Sequence, residues 1–249
     1  MKNVKINDAE NDFLKYFNEG MKYDDICSKL NVTKASISYY VKKHNLVHPS
    51  KINKINDTIF NSFNEENIYW LGYLWADGSV QNTEKNHTID LETIDKEHAI
   101  KFSKFLGLNK IKERNRNNSI TFRVNGSSKK IANKLYELGF DIKDNRINFP
   151  NIPKEYYRVF LRGYFDGDGH IRIKNEKFEA IDISGRLEFM DTLYNMFPYF
   201  IRKELHSTHS ERIYSNKELG IKFLNYIYKD AKIYLERKFK CALLFCKDR

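Results

Sequence analysis

Two segments of this 249-residue sequence share one pattern, WLGYLWADGSV from Trp70 and FLRGYFDGDGHI from Phe160. Each is an apolar helical run with small residues four apart, Gly72 and Ala76 in the first and Gly163 and Gly167 in the second. Positions four apart lie on one helix face, so each helix carries a flat strip that another backbone can approach. Each run ends in Asp-Gly and passes at once into alternating, strand-like residues. Asp77 and Asp168 stand 91 positions apart (168 − 77), a spacing that suits an internal duplication. Helices packed strip to strip bring the two carboxylates together at their C-terminal ends. Gly78 and Gly169 fall where a left-handed residue commonly stops a helix.

Stability alone does not select that arrangement. An Asp at a helix C-terminus is unfavourable by roughly 0.3–1 kcal/mol. Two converging carboxylates add mutual repulsion, so one of them resists ionising. A divalent cation between them relieves both effects, and hard oxygen donors suit Mg²⁺.

The two motifs resemble the paired signatures of the LAGLIDADG homing endonucleases. Trp70 to Gly78 fills the first nonapeptide and Leu161 to Gly169 the second. The family's metal-binding acid, the eighth position, falls on Asp77 and Asp168. The resemblance implies a metal site of Asp77 and Asp168 with the adjoining Gly78 and Gly169, holding two or three divalent ions, Mg²⁺ with Mn²⁺ as a substitute. It also implies a catalytic Lys in each half. IYLERKF points to Lys238, and LGFDIKDNRINFP points to Lys143 with Arg146 as the alternate. Trp75 stands at the sixth position, where the family carries Asp. The implied fold class is α+β, a pseudo-symmetric pair of αββαββα units whose sheets form a saddle over DNA. The implied activity is a metal-dependent double-strand break at a long, near-asymmetric target, made by a monomer with an internal pseudo-two-fold axis. A non-catalytic DNA-binding regulator and an RNA maturase are the alternatives on the same scaffold. The likeness spans residues 63–245.

Composition agrees with a polyanionic partner. The formal charge is +10, and aromatic residues make up 14%; the pI is about 9.2. No apolar run reaches the roughly 18–20 residues of a membrane span, and no signal-peptide core follows the N-terminus. A soluble, intracellular protein is expected, in the cytoplasm of a bacterium or phage-infected cell or in an organelle. Cys27, Cys241 and Cys246 form no CxxC, and the odd count fits a reducing compartment. His206 and His209 lack partners at zinc spacing. Without splicing residues at its termini, the chain reads as a free-standing or intron-encoded enzyme rather than an intein.

Four segments are expected: a helix-turn-helix over 1–47, a linker over 48–62, and units over 63–150 and 151–249. In the first, a helix closes at Gly20, a second runs from Tyr23 to Leu30, and a third from Lys34 to His44. Ile26, Leu30, Val32, Ile37 and Tyr40 lock the helices together. Asn31 takes the left-handed turn position, and Thr33 caps the third helix. This segment resembles the helix-turn-helix of resolvase-like and repressor-like proteins. Lys34, Ser36, Ser38, Tyr39 and Lys42 would then face a major groove.

Within the two larger units the alternation selects a DNA-facing side of each sheet. In the first, Lys110, Lys112, Arg114 and Arg116 share a face, next to Arg123 flanked by Thr121 and Asn125. In the second, His170, Arg172 and Lys174 alternate with isoleucines, and Arg212 flanks Ile213. Crowded like charge needs counter-charge, which phosphates supply. Asp90, Glu92 and Asp182 interrupt these faces.

Overall fold

The structure is a computed structural model that describes residues 10–19, 21–46, 55–116, 119–142, 145–197, 201–207, 210–215 and 217–246, without the side chains of 10, 201–207 and 210–215. The chain divides into two compact units, Met1–Lys54 and Ile55–Arg249. That division falls inside the expected linker. Residues 55–62 pack with the larger unit, burying Ile59 and Phe60 and pairing the Asn56 amide with the Leu106 carbonyl at 2.9 Å. Residues 47–54 and Gly20 lie outside the described residues.

The smaller unit holds α1 (Glu10–Asn18), α2 (Tyr23–Leu30) and α3 (Lys34–Lys43). Phe13 and Phe17, one turn apart, bury against Ile26, Ile37 and Tyr40, with Leu30 and Val32 packed at the edge. Asn31 closes α2 at φ 51°, and the Thr33 hydroxyl accepts from the Ser36 amide at 3.2 Å to open α3.

The larger unit runs α4 (Glu65–Asp77), β1 (Ser79–Val80), β2 (Thr88–Thr93), α5 (Lys96–Phe105), β3 (Lys112–Arg116), β4 (Ser119–Ser127) and α6 (Lys129–Glu137). The same order then recurs as α7 (Tyr157–Asp168), β5 (Gly169–Lys174), β6 (Lys177–Arg186), α8 (Leu187–Met196), β7 (Ile201–Ser207), β8 (Ser210–Ser215) and α9 (Lys217–Tyr228). Helix α10 (Glu236–Phe245) follows. Each set of four strands forms an antiparallel sheet, ordered β1-β2-β4-β3 and β5-β6-β8-β7. This is the expected α+β architecture.

Period-two alternation splits the first sheet into two faces. Ile89, Leu91, Phe122 and Val124 turn inward with the apolar sides of α5 and α6. Thr88, Asp90, Glu92, Thr121, Arg123 and Asn125 turn the other way. Helices α4 and α7 run through the middle. Asn67 to Ala76 of α4 and Val159 to Asp166 of α7 are buried, so both helices are covered on every side, as their apolar runs require. One apolar core joins the two sets of elements.

One expectation of the backbone fails. Gly78 and Gly169 are extended (φ −80° at each), not left-handed. The chain leaves each helix and turns straight into a strand, folding the glycine back on the last turn. A Cβ at Gly78 would lie 2.7 Å from the Leu74 carbonyl oxygen, and one at Gly169 would lie 2.5 Å from that of Phe165. Close approach, rather than positive φ, requires glycine there.

Candidate active site and nucleic-acid interface

The site is built on the crossing of α4 and α7. A Cβ on Gly72 would sit 2.2 Å from the Phe160 carbonyl oxygen, and one on Gly163 would sit 2.0 Å from that of Tyr69. Each glycine thus lies directly on the other helix's backbone. Further along, a Cβ on Gly167 would meet the Ala76 Cβ at 2.4 Å and Asp77 Oδ2 at 3.5 Å. Asp77 therefore leans over the residue that precedes Asp168. The four small residues lie at this contact, and each of the two helices ends in its acid. Asp77 is exposed and Asp168 half-exposed. The Lys238 ammonium and the Tyr164 phenol each sense both carboxylates.

Cationic side chains hold both helix ends. Lys238 is buried and donates to the carbonyls of Phe165, Asp166 and Gly167 at 2.7, 2.7 and 3.1 Å. Those contacts use all three ammonium protons. Arg146, also buried, does the same work for α4. One Nη donates to the carbonyls of Leu74 and Trp75, the other to that of Gly78 at 2.7 Å, and Nε to that of Asp141. A cation at a helix C-terminus offsets its partial negative charge. Burial pulls the Lys238 ammonium down to about 8 against the attraction of Asp166, and pulls Arg146 down to about 10. Lys143, the first-half candidate, lies outside the described residues.

The sixth motif position separates the halves. Asp166 is fully buried and accepts from the Tyr69 hydroxyl at 2.7 Å, the Tyr228 hydroxyl at 2.5 Å and the Leu235 amide at 2.7 Å. It ties α4, α9 and the start of α10 to α7. Burial pushes its carboxyl up, against the pull of Lys238 and these three donors. Trp75 instead packs on Phe140, Phe160 and Phe189. Its indole N–H has no hydrogen-bond partner among the described residues. Arg162, fully buried, pairs with the half-buried Glu65 across the two helices at 2.5 Å. The motif sets Asp166 at its sixth position, but nothing in the sequence pattern gave its partners or singled out Arg162.

The polar faces of the sheets differ from expectation in their charge balance. Arg123 is gripped by both oxygens of Asp90, with Nε to Oδ1 at 2.6 Å. Arg114 and Arg116 reach Glu92 at 3.4 and 3.1 Å. Arg172 reaches Asp182 at 2.7 Å, with His170 at 3.7 Å from the same carboxylate. Counter-charge therefore comes from the protein itself, across strands that the register brings together. Asp77, Asp90, Glu92, Arg114 and Arg123 line one shallow cavity of about 310 Å³, so this face opens directly onto the first acid. Lys112 and Lys174 are exposed strand residues, and Lys110 precedes β3. Arg212 takes its place in β8 opposite Ser184, its side chain outside the described residues.

On the smaller unit Ser38, Tyr39 and Lys42 are exposed. Lys34 pairs with Asp24 at 2.5 Å. Ser36 shares a hydrogen bond with the Thr33 hydroxyl, at 2.8 Å, and is half-buried.

The pair of carboxylates gives a divalent ion two hard donors. Among the described residues no group of three or more His, Cys, Asp or Glu converges on a common point. Asp77 is exposed and Asp168 half-exposed, so both carboxylates are open to water. Among the described residues no helix is long and apolar enough to cross a membrane.

The model of the LAGLIDADG-like domain matches residues 155–227. The fold is that of the meganuclease I-SmaMI bound to uncleaveable DNA, with a TM-score of 0.52, 14% identity, and coverage of 72% of this chain and 89% of that one. The LAGLIDADG homing endonuclease I-LtrWI, bound to target DNA, aligns at a TM-score of 0.48 and 11% identity over 73% of this chain and 90% of its own. Two curated sequences are 27% identical, both named probable translation initiation factor IF-2. That of Thermococcus kodakarensis matches over 185 residues, 70% of this chain and 15% of the factor. That of Methanocaldococcus jannaschii matches over 204 residues, 78% and 16%. The chain spans about a sixth of the length of these curated relatives.

Proposed function

From its LAGLIDADG-like domain and LAGLIDADG endonuclease fold, we propose that this chain is a site-specific DNA endonuclease that cuts both strands with divalent metal ions. The observation that carries this reading is the backbone-to-backbone crossing at Gly72 and Gly163, which sets Asp77 beside the end of the helix that carries Asp168. An arrangement that accumulates negative charge at two helix ends has a reason if a cation and a phosphate meet there. The DNA-bound state of the meganuclease with the same fold supports a duplex as the partner.

Asp77 and Asp168 hold the ions, with Gly78 and Gly169 adjoining; Mg²⁺ suits these oxygens, and Mn²⁺ substitutes. When bound, such ions lower the pKa of water and stabilise charge on the attacking and leaving oxygens of the scissile phosphate. Lys238 and Arg146 act as positioning residues. Their hydrogen bonds to the terminal carbonyls fix where each helix stops and hence where each carboxylate points. Lys143 is the remaining first-half candidate for a direct role. The two polar sheet faces form the saddle that receives the duplex through Lys110, Lys112, Lys174, His170, Arg212 and the paired arginines. Lys34, Ser36, Ser38, Tyr39 and Lys42 of the smaller unit give a second, helix-turn-helix contact in a major groove. One chain carries both motifs, so a monomer is sufficient.

Incubation with Mg²⁺ and a library of duplex targets tests the reading. Cleavage of both strands at one sequence family is expected. Asp168→Asn abolishes cutting while preserving binding when Ca²⁺ replaces Mg²⁺. Persistent sequence-specific binding by the parent without cleavage would indicate a regulator instead.

A further inference from the structure

The two sheets place an acid at the same point. Asp90 lies opposite Ser79, two residues beyond Asp77, and Asp182 lies opposite His170, two residues beyond Asp168. Each grips an arginine, Arg123 in the first sheet and Arg172 in the second. Two residues along β2 on the same face, Glu92 takes Arg114 and Arg116. Asp182 is nearly buried at 7% exposure, so it is a fixed part of the sheet. The other pairs are partly exposed, and ion pairs of that kind add little to a fold's stability. Their placement on the face that opens onto Asp77 therefore calls for another reason.

We propose that Asp90 and Glu92 set the specificity of DNA binding by withdrawing Arg123, Arg114 and Arg116 from phosphate contacts and presenting them to base edges. The inference rests on the DNA-binding reading above. Phosphate attraction works through net charge and counterion release. An arginine already matched by a carboxylate brings almost no net charge to the groove and adds little to binding at random sequence. It keeps donors nonetheless. A guanidinium has five N–H groups, and the grip of Asp90 uses Nε and one Nη of Arg123. A guanidinium held flat gives up less conformational freedom when its remaining donors meet the acceptors of a guanine. The carboxylates also repel nearby phosphates, so a duplex whose bases fail to satisfy the arginines is left with the repulsion alone.

The experiment is fluorescence anisotropy of the full chain with a duplex of arbitrary sequence, in EDTA and over a range of KCl. Asp90→Asn/Glu92→Gln releases Arg123, Arg114 and Arg116. The slope of log affinity against log salt is expected to steepen by about 0.9 for each arginine that then reaches a phosphate. Random-duplex affinity rises, and the spread of affinities across a randomised library narrows. Asp90→Asn/Arg123→Gln conserves net charge and should keep the parent slope. A flatter slope in that variant would mean that Arg123 already contacts phosphate, and would overturn the proposal. An unchanged slope in the first variant, with its thermal melt intact, also overturns it. A parent that fails to bind duplex at low salt overturns both this inference and the DNA-binding reading beneath it.

Discussion

Replacing Gly72 or Gly163 with alanine tests the helix crossing on which the site depends. In an ordinary helix interior Gly→Ala stabilises by about 1 kcal/mol. Here the sign reverses. The new Cβ would stand 2.2 Å from the Phe160 carbonyl oxygen, or 2.0 Å from that of Tyr69. Even weak C–H···O contacts keep carbon and oxygen about 3.3 Å apart, so α4 and α7 must separate by roughly 1 Å. A gap of that size forfeits about a quarter to a half of each dispersion contact along the interface. With the overpacking penalty, each variant should lose a net ~2–4 kcal/mol in urea or thermal unfolding of the larger unit. The two glycines face the same pair of backbones, so one displacement relieves both clashes. Gly72→Ala/Gly163→Ala should therefore cost clearly less than the sum of the singles, by about 1–2 kcal/mol. Asp77 and Asp168 ride on the two helices, and a 1 Å displacement of aligned groups costs about 100-fold in rate, so cleavage should fall even where the fold survives. Singles that melt within about 0.5 kcal/mol of the parent, or a strictly additive double, would refute the close approach.

Three further outcomes follow from the buried polar groups. His98 is buried, and burial lowers its pKa to about 3 from an ordinary 6.5. The unfolded chain binds that proton first, so stability present above pH 6.5 drains as pH falls toward 3, by up to about 5 kcal/mol; His98→Gln should flatten that limb of a pH-dependent melt. Lys238 is lowered to about 8 from 10.5. The unfolded state holds more protons between those values, so this residue should make stability rise across pH 8–10.5, by about 3 kcal/mol, and Lys238→Met should remove the rise. Asp166→Asn puts an amide where three donors converge and should destabilise by about 2–4 kcal/mol in chemical unfolding.

Much of the fold was readable because its signals are local. The alternation of His170, Arg172 and Lys174 with isoleucines marked a strand, and the four-residue spacing of Gly72 and Ala76 marked the helix crossing. The parts that escaped are non-local. Asp90 and Arg123 are partners across 33 positions, and only the strand register puts them together; read one strand at a time, the arginines looked uncompensated. Asp166 finds its partners 62 to 97 residues away. Arg146 sits in an aperiodic loop, so the sequence offered it only as the alternate to Lys143, and its grip on the end of the first motif helix came from contacts 68 to 72 positions away. At Gly78 and Gly169 the residue type was read as a backbone conformation, when the demand was for space. The motif acids were legible as a pair because the same pattern occurs twice in the sequence.

The interlocked glycines also limit how such a protein can be recombined. Because each helix presses on the bare backbone of the other, neither half carries a surface that accepts a generic partner. A chimera that grafts residues 55–150 onto a foreign second half would need small residues at the positions of Gly163 and Gly167, in register with Gly72 and Ala76. The two parts are bound to a common evolutionary history: a bulky replacement in one closes off exchange with every partner that has not made room for it.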